Sequence, residues 1–411
     1  MQTAELVSTG AELLSGRTVN AHAHVLGEHL ARIGSKLLRD TTVPDNIELI
    51  IDAVEGALSR ANLVFVTGGL GPTSDDLTRE ALSRFLNRKI VMDEEMLNII
   101  RKRYEQHGKT LSLEGKKQAE TIEGAEILNN AVGAAPGKRI EVDGSTLFAL
   151  PGPPREFLYV LEQHVLPWLK ENMVDPLQLH ENVFMICGMG ESDILTRFAA
   201  HAFPPDGIDI AFCAAPGRVE IRLSTSSDAS TLQKAIAEIR KLLGDFIYAE
   251  ERIDLSKVLG RYLQERQATL ATAESCTGGL LADRITSVSG SSQYYRGGVV
   301  AYSNDVKIQA LGVDPQTFEK HGAVSEWVAK EMAQGVRQRF NTDYGLGITG
   351  IAGPTGGTQE KPIGLVFIAV ADHDQTDFKE YQFSGNRTWI KENSSQMALD
   401  VLRRFLGHIS M

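Results

Sequence analysis

At 411 residues the chain exceeds what one hydrophobic core usually supports, so two or three domains are expected. Its 42% hydrophobic and 23% charged content is that of a folded globular protein and excludes disorder as the main state. The net charge of -11 excludes a general attraction to a phosphate backbone and leaves room only for a local basic pocket. Cys187, Cys213 and Cys276 are odd in number and far apart, which suits reduced thiols rather than a disulfide framework. MQTAELVSTG has neither a basic nor an apolar leader region, and no apolar run approaches the length of a membrane span. A cytoplasmic protein without membrane or nucleic-acid partners is expected.

In chain order, ELVSTG reads as a short buried strand, VNAHAHVLGEHLARIG as a helix, KLLRDTTV as a strand, NIELIIDAVEGALSRA as an amphipathic helix and LVFVTGG as another strand. This alternation predicts an α/β fold with a parallel, doubly wound sheet. In such sheets ligands bind beyond the carboxyl ends of the strands, where the turns STGAELLSG and TGGLGPTSDD fall. TLFALPGPPREFLYVLEQHVLPWL adds a strand, a Pro/Gly turn and a helix ending near Lys170, after which VDPLQL marks a boundary. The first domain is therefore placed at 1–170.

Within it, TGGLGPTSDDLTRE puts Gly68, Gly69, Gly71 and Pro72 after an apolar strand, so the chain can turn tightly and offer N–H groups to an anion. Asp75 and Asp76 stand just before the helix LTREALSRFL, where an aspartate can simply cap the first turn. Against capping alone, Asp45 closes another strand of the same sheet and Glu12 sits in the first turn, so three carboxylates can converge at one edge. Such a group suits a divalent cation holding a diphosphate, because hard oxygen ligands and phosphate oxygens share the ion. The glycine pattern is neither a Walker loop nor GxGxxG.

Residues 175–250 are read as a small α+β middle domain: NVFMICG, IDIAFCAA and RVEIRLST as strands, ESDILTRFAAHAF and ASTLQKAIAEIRKLLG as helices. Its GMGE turn has no lysine or arginine where a nucleic-acid clamp would want one. From 253 to 411 the helix IDLSKVLGRYLQERQ opens a third α/β unit with ATLATA, GGVVAYS, DYGLGITG and GLVFIAVAD as strands.

TAESCTGG, residues 272–279, carries two candidate nucleophiles before two glycines and a helix, GLLADRITSV, whose N-terminus can receive a phosphate or a developing oxyanion. Ser275 and Thr277 can equally be helix caps. A serine needs a base, and His321, His373 and His408 stand in loop or terminal-helix contexts without a carboxylate motif. Lys307, in YSNDVK, follows a strand and can face the same crevice; buried, it would lose its proton readily and act as base to Ser275, whereas exposed it is an ordinary solvated lysine. Cys276 would need a depressed pKa and a paired histidine, so a small buried cysteine is the better reading. GITGIAGPTGG and FSGNR add donors around one ligand, with Arg387 a phosphate fork or a surface arginine.

STGAELLSG, VPDN, TGGLGPTSDDLTRE, NNAVGAAPG and LPGPPREF together resemble the N-terminal, molybdopterin-binding-like domain of the CinA (competence/damage-inducible protein A) family. That resemblance implies a metal-dependent ADP-ribose pyrophosphatase using magnesium, manganese or cobalt, with Asp45 and Asp76 as metal candidates beside Gly68, Gly69, Gly71 and Glu12. Ala11 departs from the family's usual aspartate, asparagine or threonine before that glutamate. TAESCTGG, YSN with Lys307, HGAVSE, GITGIAGPTGG, KPIG and FSGNR resemble the family's C-terminal, PncC-type nicotinamide-nucleotide amidase domain. This second resemblance implies hydrolysis of nicotinamide mononucleotide to nicotinic acid mononucleotide and ammonia without a metal. Ser275 would be the nucleophile and Lys307 the base, with Thr277, Gly278, Tyr302, Thr349, Gly350 and Arg387 holding substrate. Asn386 replaces an aspartate often found before the arginine, which would loosen phosphate binding if that aspartate orients it. Two other readings stand beside these: a first domain that binds molybdopterin or another pterin nucleotide without hydrolysis, and a partner protein in competence or recombination. A homodimer is expected, because closed two-fold symmetry is the commonest assembly.

Overall fold

The computed structural model describes residues 3–106, 108, 110–172 and 180–407, so the expected boundary VDPLQL and His408 lie outside the described residues. The chain forms two compact units, Met1–Leu179 and His180–Met411.

In the first unit the strands are β1 (Thr3–Thr9), β2 (Lys36–Val43), β3 (Leu63–Thr67), β4 (Ile90–Met92), β5 (Glu120–Ile122), β6 (Glu126–Leu128), β7 (Gly137–Val142) and β8 (Ser145–Leu150). Six of them make one sheet in the order β2-β1-β3-β8-β7-β6, while β4 and β5 pair as a separate antiparallel ribbon. β1 and β3 are almost wholly buried, as continuous apolar strands covered on both faces must be. His22–Arg32 and Pro154–Val160 contribute Leu26, Leu30, Phe157 and Val160 to the core on one face, and Ile47–Leu58 and Thr78–Leu86 contribute Ile50, Val54, Ala81 and Leu82 on the other. The expected parallel arrangement holds over four of the six strands. β2, β1, β3 and β8 are parallel, but β7 and β6 run antiparallel at one edge. The cause is local: Asp143 and Gly144, at φ 47° and 86°, form a two-residue hairpin turn that pairs Val142 with Ser145.

In the second unit β9 (His180–Cys187), β10 (Asp209–Ala215), β11 (Arg218–Thr225) and β12 (Ile247–Ala249) form an antiparallel sheet in the order β10-β11-β9-β12. The helices Glu191–Ala199 and Ala229–Leu243 share its core, Ile194, Phe198, Ile236 and Ile239 packing with Phe184, Ile186, Ile221 and Leu223. β13 (Leu270–Glu274), β14 (Tyr295–Val300), β15 (Tyr344–Gly350), β16 (Leu365–Ala371) and β17 (Thr376–Gln382) form a second sheet, ordered β14-β13-β15-β16-β17. The first three are parallel and the last two antiparallel. Helix Glu326–Phe340 lies against one face so closely that a Cβ on Gly347 would strike the Ala329 carbonyl, which explains the glycines of YGLGITG. Met185, Cys187 and Tyr248 of the antiparallel sheet share one core cluster with Leu259, Leu346, Met397 and Leu402, so the two sheets belong to a single compact unit. Among the described residues no helix is long and apolar enough to cross a membrane.

Candidate functional site

Each large sheet changes direction at one place. In the first unit β1 connects to β2 on one side while β3 leads toward β8 on the other, so a crevice opens between the ends of β1 and β3. A cleft of about 520 Å³ lies there, lined by Glu12, Asp45, Gly68, Gly69, Gly71, Asp75 and Asp76 among others. Gly68 has φ +94° and a Cβ on it would come within 2.5 Å of the Thr9 carbonyl, so the loop crosses β1 closely only because this residue is glycine.

The carboxylates have specific local duties. Asp76 accepts the N–H of Gly71 and of Thr73, both at 2.8 Å, and the Thr73 hydroxyl at 2.5 Å, closing its own loop. Helix Thr78–Leu86 has Leu77 at its N-cap position with no side-chain cap, so neither aspartate caps it. Asp45 accepts the Ala11 N–H at 3.0 Å; residue 11 contributes only its backbone to this bond, which alanine supplies as well as any other residue. Among the described residues no three His, Cys, Asp or Glu side chains gather into a group that could hold a metal by themselves. The carboxylates share a rim, where Asp45 and Asp76 each accept backbone N–H groups.

Sequence reasoning missed the polar floor of this cleft. His22, at the start of helix His22–Arg32, stacks on Phe157 with ring centroids 4.4 Å apart and places Nδ1 3.2 Å from the Thr67 hydroxyl. Burial holds its imidazole below the usual histidine range, opposed by the Gly152 carbonyl. Its only sequence signal is a histidine heading a helix at the carboxyl edge of the sheet. Arg79 was also unforeseen: buried on helix Thr78–Leu86, it donates to the carbonyl of Leu70 at 2.7 Å and of Gly71 at 3.3 Å, anchoring the glycine loop.

In the second unit β13 connects to β14 while β15 leads to β16 on the other side, so a second crevice opens between the ends of β13 and β15. Ser275 follows β13, its N–H bonded to the Ile348 carbonyl at 3.0 Å and its carbonyl accepting the Gly278 N–H at 3.2 Å. Gly278 and Gly279, at φ +63° and +96°, turn the chain into helix Leu280–Thr286. One expectation is overturned here. Glu274, the last residue of β13, accepts the N–H groups of Gly279 and Leu281 at 3.0 Å and of Ala282 at 2.8 Å, so the helix terminus already holds an anion and does not face a substrate phosphate or oxyanion. Neither Ser275 nor Thr277 caps the helix; Gly279 occupies that position.

Lys307, on helix Asn304–Leu311, is 2% exposed and not a solvated lysine. Among the described residues its ammonium nitrogen has no hydrogen bond or ion pair, and desolvation lowers its pKa, with Cys276 opposing. Burial pushes the Cys276 thiol up to about 12, and the Glu274 carboxylate adds to the effect while Lys307 and Arg387 oppose it. At neutral pH it is a thiol, a poor nucleophile. Among the described residues no histidine is hydrogen-bonded to Ser275, Cys276 or Lys307; His321 instead lies 5.2 Å from the Trp327 ring.

Arg387 ties the loops together, donating to the Gly353 carbonyl at 2.7 Å and to the exposed Tyr302 hydroxyl at 3.1 Å. Asn386 caps helix Arg387–Phe405 by accepting the Trp389 N–H at 2.9 Å, so its side chain serves the helix rather than the arginine. Thr277 is fully buried with its hydroxyl unpartnered among the described residues, whereas Thr349 donates its hydroxyl to the Ala323 carbonyl at 2.8 Å and is left only acceptor capacity for a ligand. Gly350 is required by packing, since a Cβ there would meet Val366 at 2.6 Å.

These features define a multidomain α/β protein whose N-terminal domain is molybdopterin-binding-like and whose C-terminal sheet carries a second switch-point crevice. Residues 5–171 match the probable molybdopterin binding domain family and residues 252–406 the CinA C-terminal domain family. The chain is 40% identical over 98% of its length to CinA-like proteins of Dictyoglomus thermophilum and Kosmotoga olearia, covering 98% of each. It belongs to the CinA family. Among solved structures it is similar to the competence/damage inducible protein CihA from Agrobacterium tumefaciens, at 36% identity and TM-score 0.37, over 37% of this chain and 93% of that one.

Proposed function

We propose that the C-terminal crevice hydrolyses the carboxamide of nicotinamide mononucleotide, releasing ammonia and nicotinic acid mononucleotide. The observation that carries this reading is Lys307: a buried amine of lowered pKa, free of protein partners among the described residues and close enough to Cys276, the residue after Ser275, for the two to interact electrostatically. Neutral Lys307 takes the Ser275 hydroxyl proton as Oγ attacks the carboxamide carbon. The ammonium so formed returns the proton to the departing nitrogen, and water then cleaves the ester. Arg387, braced by Tyr302 and Gly353, supplies the cation for the 5′-phosphate. No cofactor enters the reaction.

Ammonia release by the purified protein without added metal tests this reading, with Ser275→Ala, Lys307→Ala and Cys276→Ala alongside. Activity in wild type and Cys276→Ala, and none in the other two, is expected; a silent wild type sinks it.

For the first cleft the reading is metal-dependent hydrolysis of ADP-ribose to AMP and ribose 5-phosphate, supported by the glycine loop and the acidic rim of Glu12, Asp45 and Asp76. The match of residues 5–171 to the probable molybdopterin binding domain family supports, as second reading, a pterin-nucleotide binder that does not hydrolyse. AMP formation with magnesium, manganese or cobalt separates the two. A homodimer is part of the proposal and is checked by light scattering; a salt-dependent shift with single-stranded DNA would instead favour the competence-partner reading.

A further inference from the structure

A line of polar side chains runs from the cleft floor of the first unit into the sheet. His22 Nδ1 lies 3.2 Å from the Thr67 hydroxyl, which donates to the Ser8 hydroxyl at 3.4 Å, which donates to Asp40 Oδ1 at 3.5 Å. Asn20 braces the line, donating to Ser8 Oγ at 2.9 Å and to Asp40 Oδ2 at 3.3 Å while its side-chain oxygen accepts the main-chain N–H of His22 at 3.1 Å. The Thr67 hydroxyl can accept from a protonated Nδ1 or donate to a bare one; the first arrangement, with the hydroxyl protons running toward Asp40, leaves the lone pair on Nε2 and is the tautomer the proposal requires. The two hydroxyl contacts are long, as catalytic hydrogen bonds often are before a ligand binds.

His22 is 8% exposed, its Nε2 has no hydrogen-bond partner among the described residues, and the residue lines the same cleft as the acidic rim and the glycine loop. A buried ring nitrogen without a partner costs stability wherever nothing visits it. Phe157, stacked on the ring, and Asn20 fix its position. We propose that His22 is the general base of the first cleft, its Nε2 taking a proton from the water that attacks the diphosphate, with Thr67, Ser8 and Asp40 holding the tautomer.

The inference rests on the hydrolytic reading of that cleft. The water oxygen bonds to one phosphorus as its proton passes to Nε2. The bond from that phosphorus to the bridging oxygen breaks, its electron pair leaves with the second phosphate, and the imidazolium proton then passes to solvent. The imidazolium is supported by the Gly152 carbonyl and, through the hydroxyls, by Asp40. The other charged groups facing the cleft, Glu12, Asp45, Asp75, Asp76 and Glu156, are all acidic.

The test combines imidazole nitrogen-15 NMR on the full chain with steady-state hydrolysis of ADP-ribose in magnesium. We expect His22 to carry its proton on Nδ1. We expect His22→Gln to lower kcat about 100-fold or more with KM changed less than threefold, and Thr67→Val to lower kcat about tenfold with a shifted acid limb of the pH profile. A proton found on Nε2 overturns the proposal whatever the activity, and so does a His22→Gln variant that turns over like wild type. Absence of AMP from wild type overturns the hydrolytic reading itself and the catalytic role with it, a result distinct from an active wild type indifferent to His22.

Discussion

The Glu274 carboxylate accepts the Ala282 N–H at 2.8 Å, tying the last residue of β13 to the first-turn donors of the helix that follows the Ser275 loop. With the bonds from Gly279 and Leu281, it leaves Ser275 to Gly278 as a short arch clamped at both ends. Glu274→Ala strands three donors, one of them in the buried Leu281 backbone, and is expected to cost about 3 kcal/mol. Glu274→Gln keeps an acceptor and should cost less. Thermal unfolding of the two variants measures both; equal melting temperatures to wild type would show that the carboxylate does not hold the arch.

Lys307 sets the pH dependence of deamidation. Only its neutral form is a base, and its pKa is lowered, so kcat should rise with pH through that lowered value and level off above it. Lys307→Arg should be inactive at every pH, because a guanidinium keeps its charge. A pH profile of ammonia release for the two proteins checks this; a rate that falls with rising pH excludes the role.

Lys138, on β7, is 1% exposed with its ammonium nitrogen unpartnered among the described residues, and desolvation, with Arg79 beside it, lowers its pKa to about 7 against the opposing Glu120 and Glu80. Between that value and the unfolded lysine near 10.4, the unfolded chain binds a proton that the folded chain does not. Stability should therefore rise with pH across this window, by up to about 1.4 kcal/mol per pH unit, and be insensitive to this residue below it. Lys138→Met should raise the melting temperature at pH 7 and flatten the slope. Denaturant unfolding at several pH values measures it, and an unchanged slope in the variant would show that Lys138 does not titrate there.

Asn386 and Arg387 separate capping from phosphate binding. Aspartate and asparagine are equally good N-caps, so Asn386→Asp should leave stability within about 0.5 kcal/mol, while Asn386→Ala should lose about 1 kcal/mol. Neither should raise KM for nicotinamide mononucleotide more than twofold, because Arg387 is held by Gly353 and Tyr302 instead. Arg387→Lys, which loses the fork, should raise KM at least tenfold. Kinetics on the three variants decides; a tenfold fall in KM with Asn386→Asp would mean that residue 386 does orient the arginine.

The strands and helices of the two α/β layers could be read from the sequence because their signals are local. LVFVT is a run of apolar residues that only a doubly covered strand accommodates, and Asn46, Ser303 and Ser325 announce the helices they cap through bonds to N–H groups three residues on. β7 was equally within reach, since its Asp143-Gly144 turn is a local hairpin signal. Glu12, Asp45 and Asp76 were brought to one cleft, and Ser275, Tyr302, Thr349 and Arg387 to the ends of neighbouring strands and the loops that meet them, because strand polarity in a parallel sheet delivers every such turn to one edge.

What pairs with what across that edge depends on contacts between segments distant in sequence, and no local pattern encodes them. The sequence could not tell whether Lys307 is solvated or buried, since the burial that lowers its pKa comes from tertiary packing. Nor could it tell that Asp45 is turned to Ala11, or that His22 meets Thr67 across 45 residues of chain. The protonation and aim of these groups follow from desolvation and hydrogen bonding, which exist only once the chain has folded.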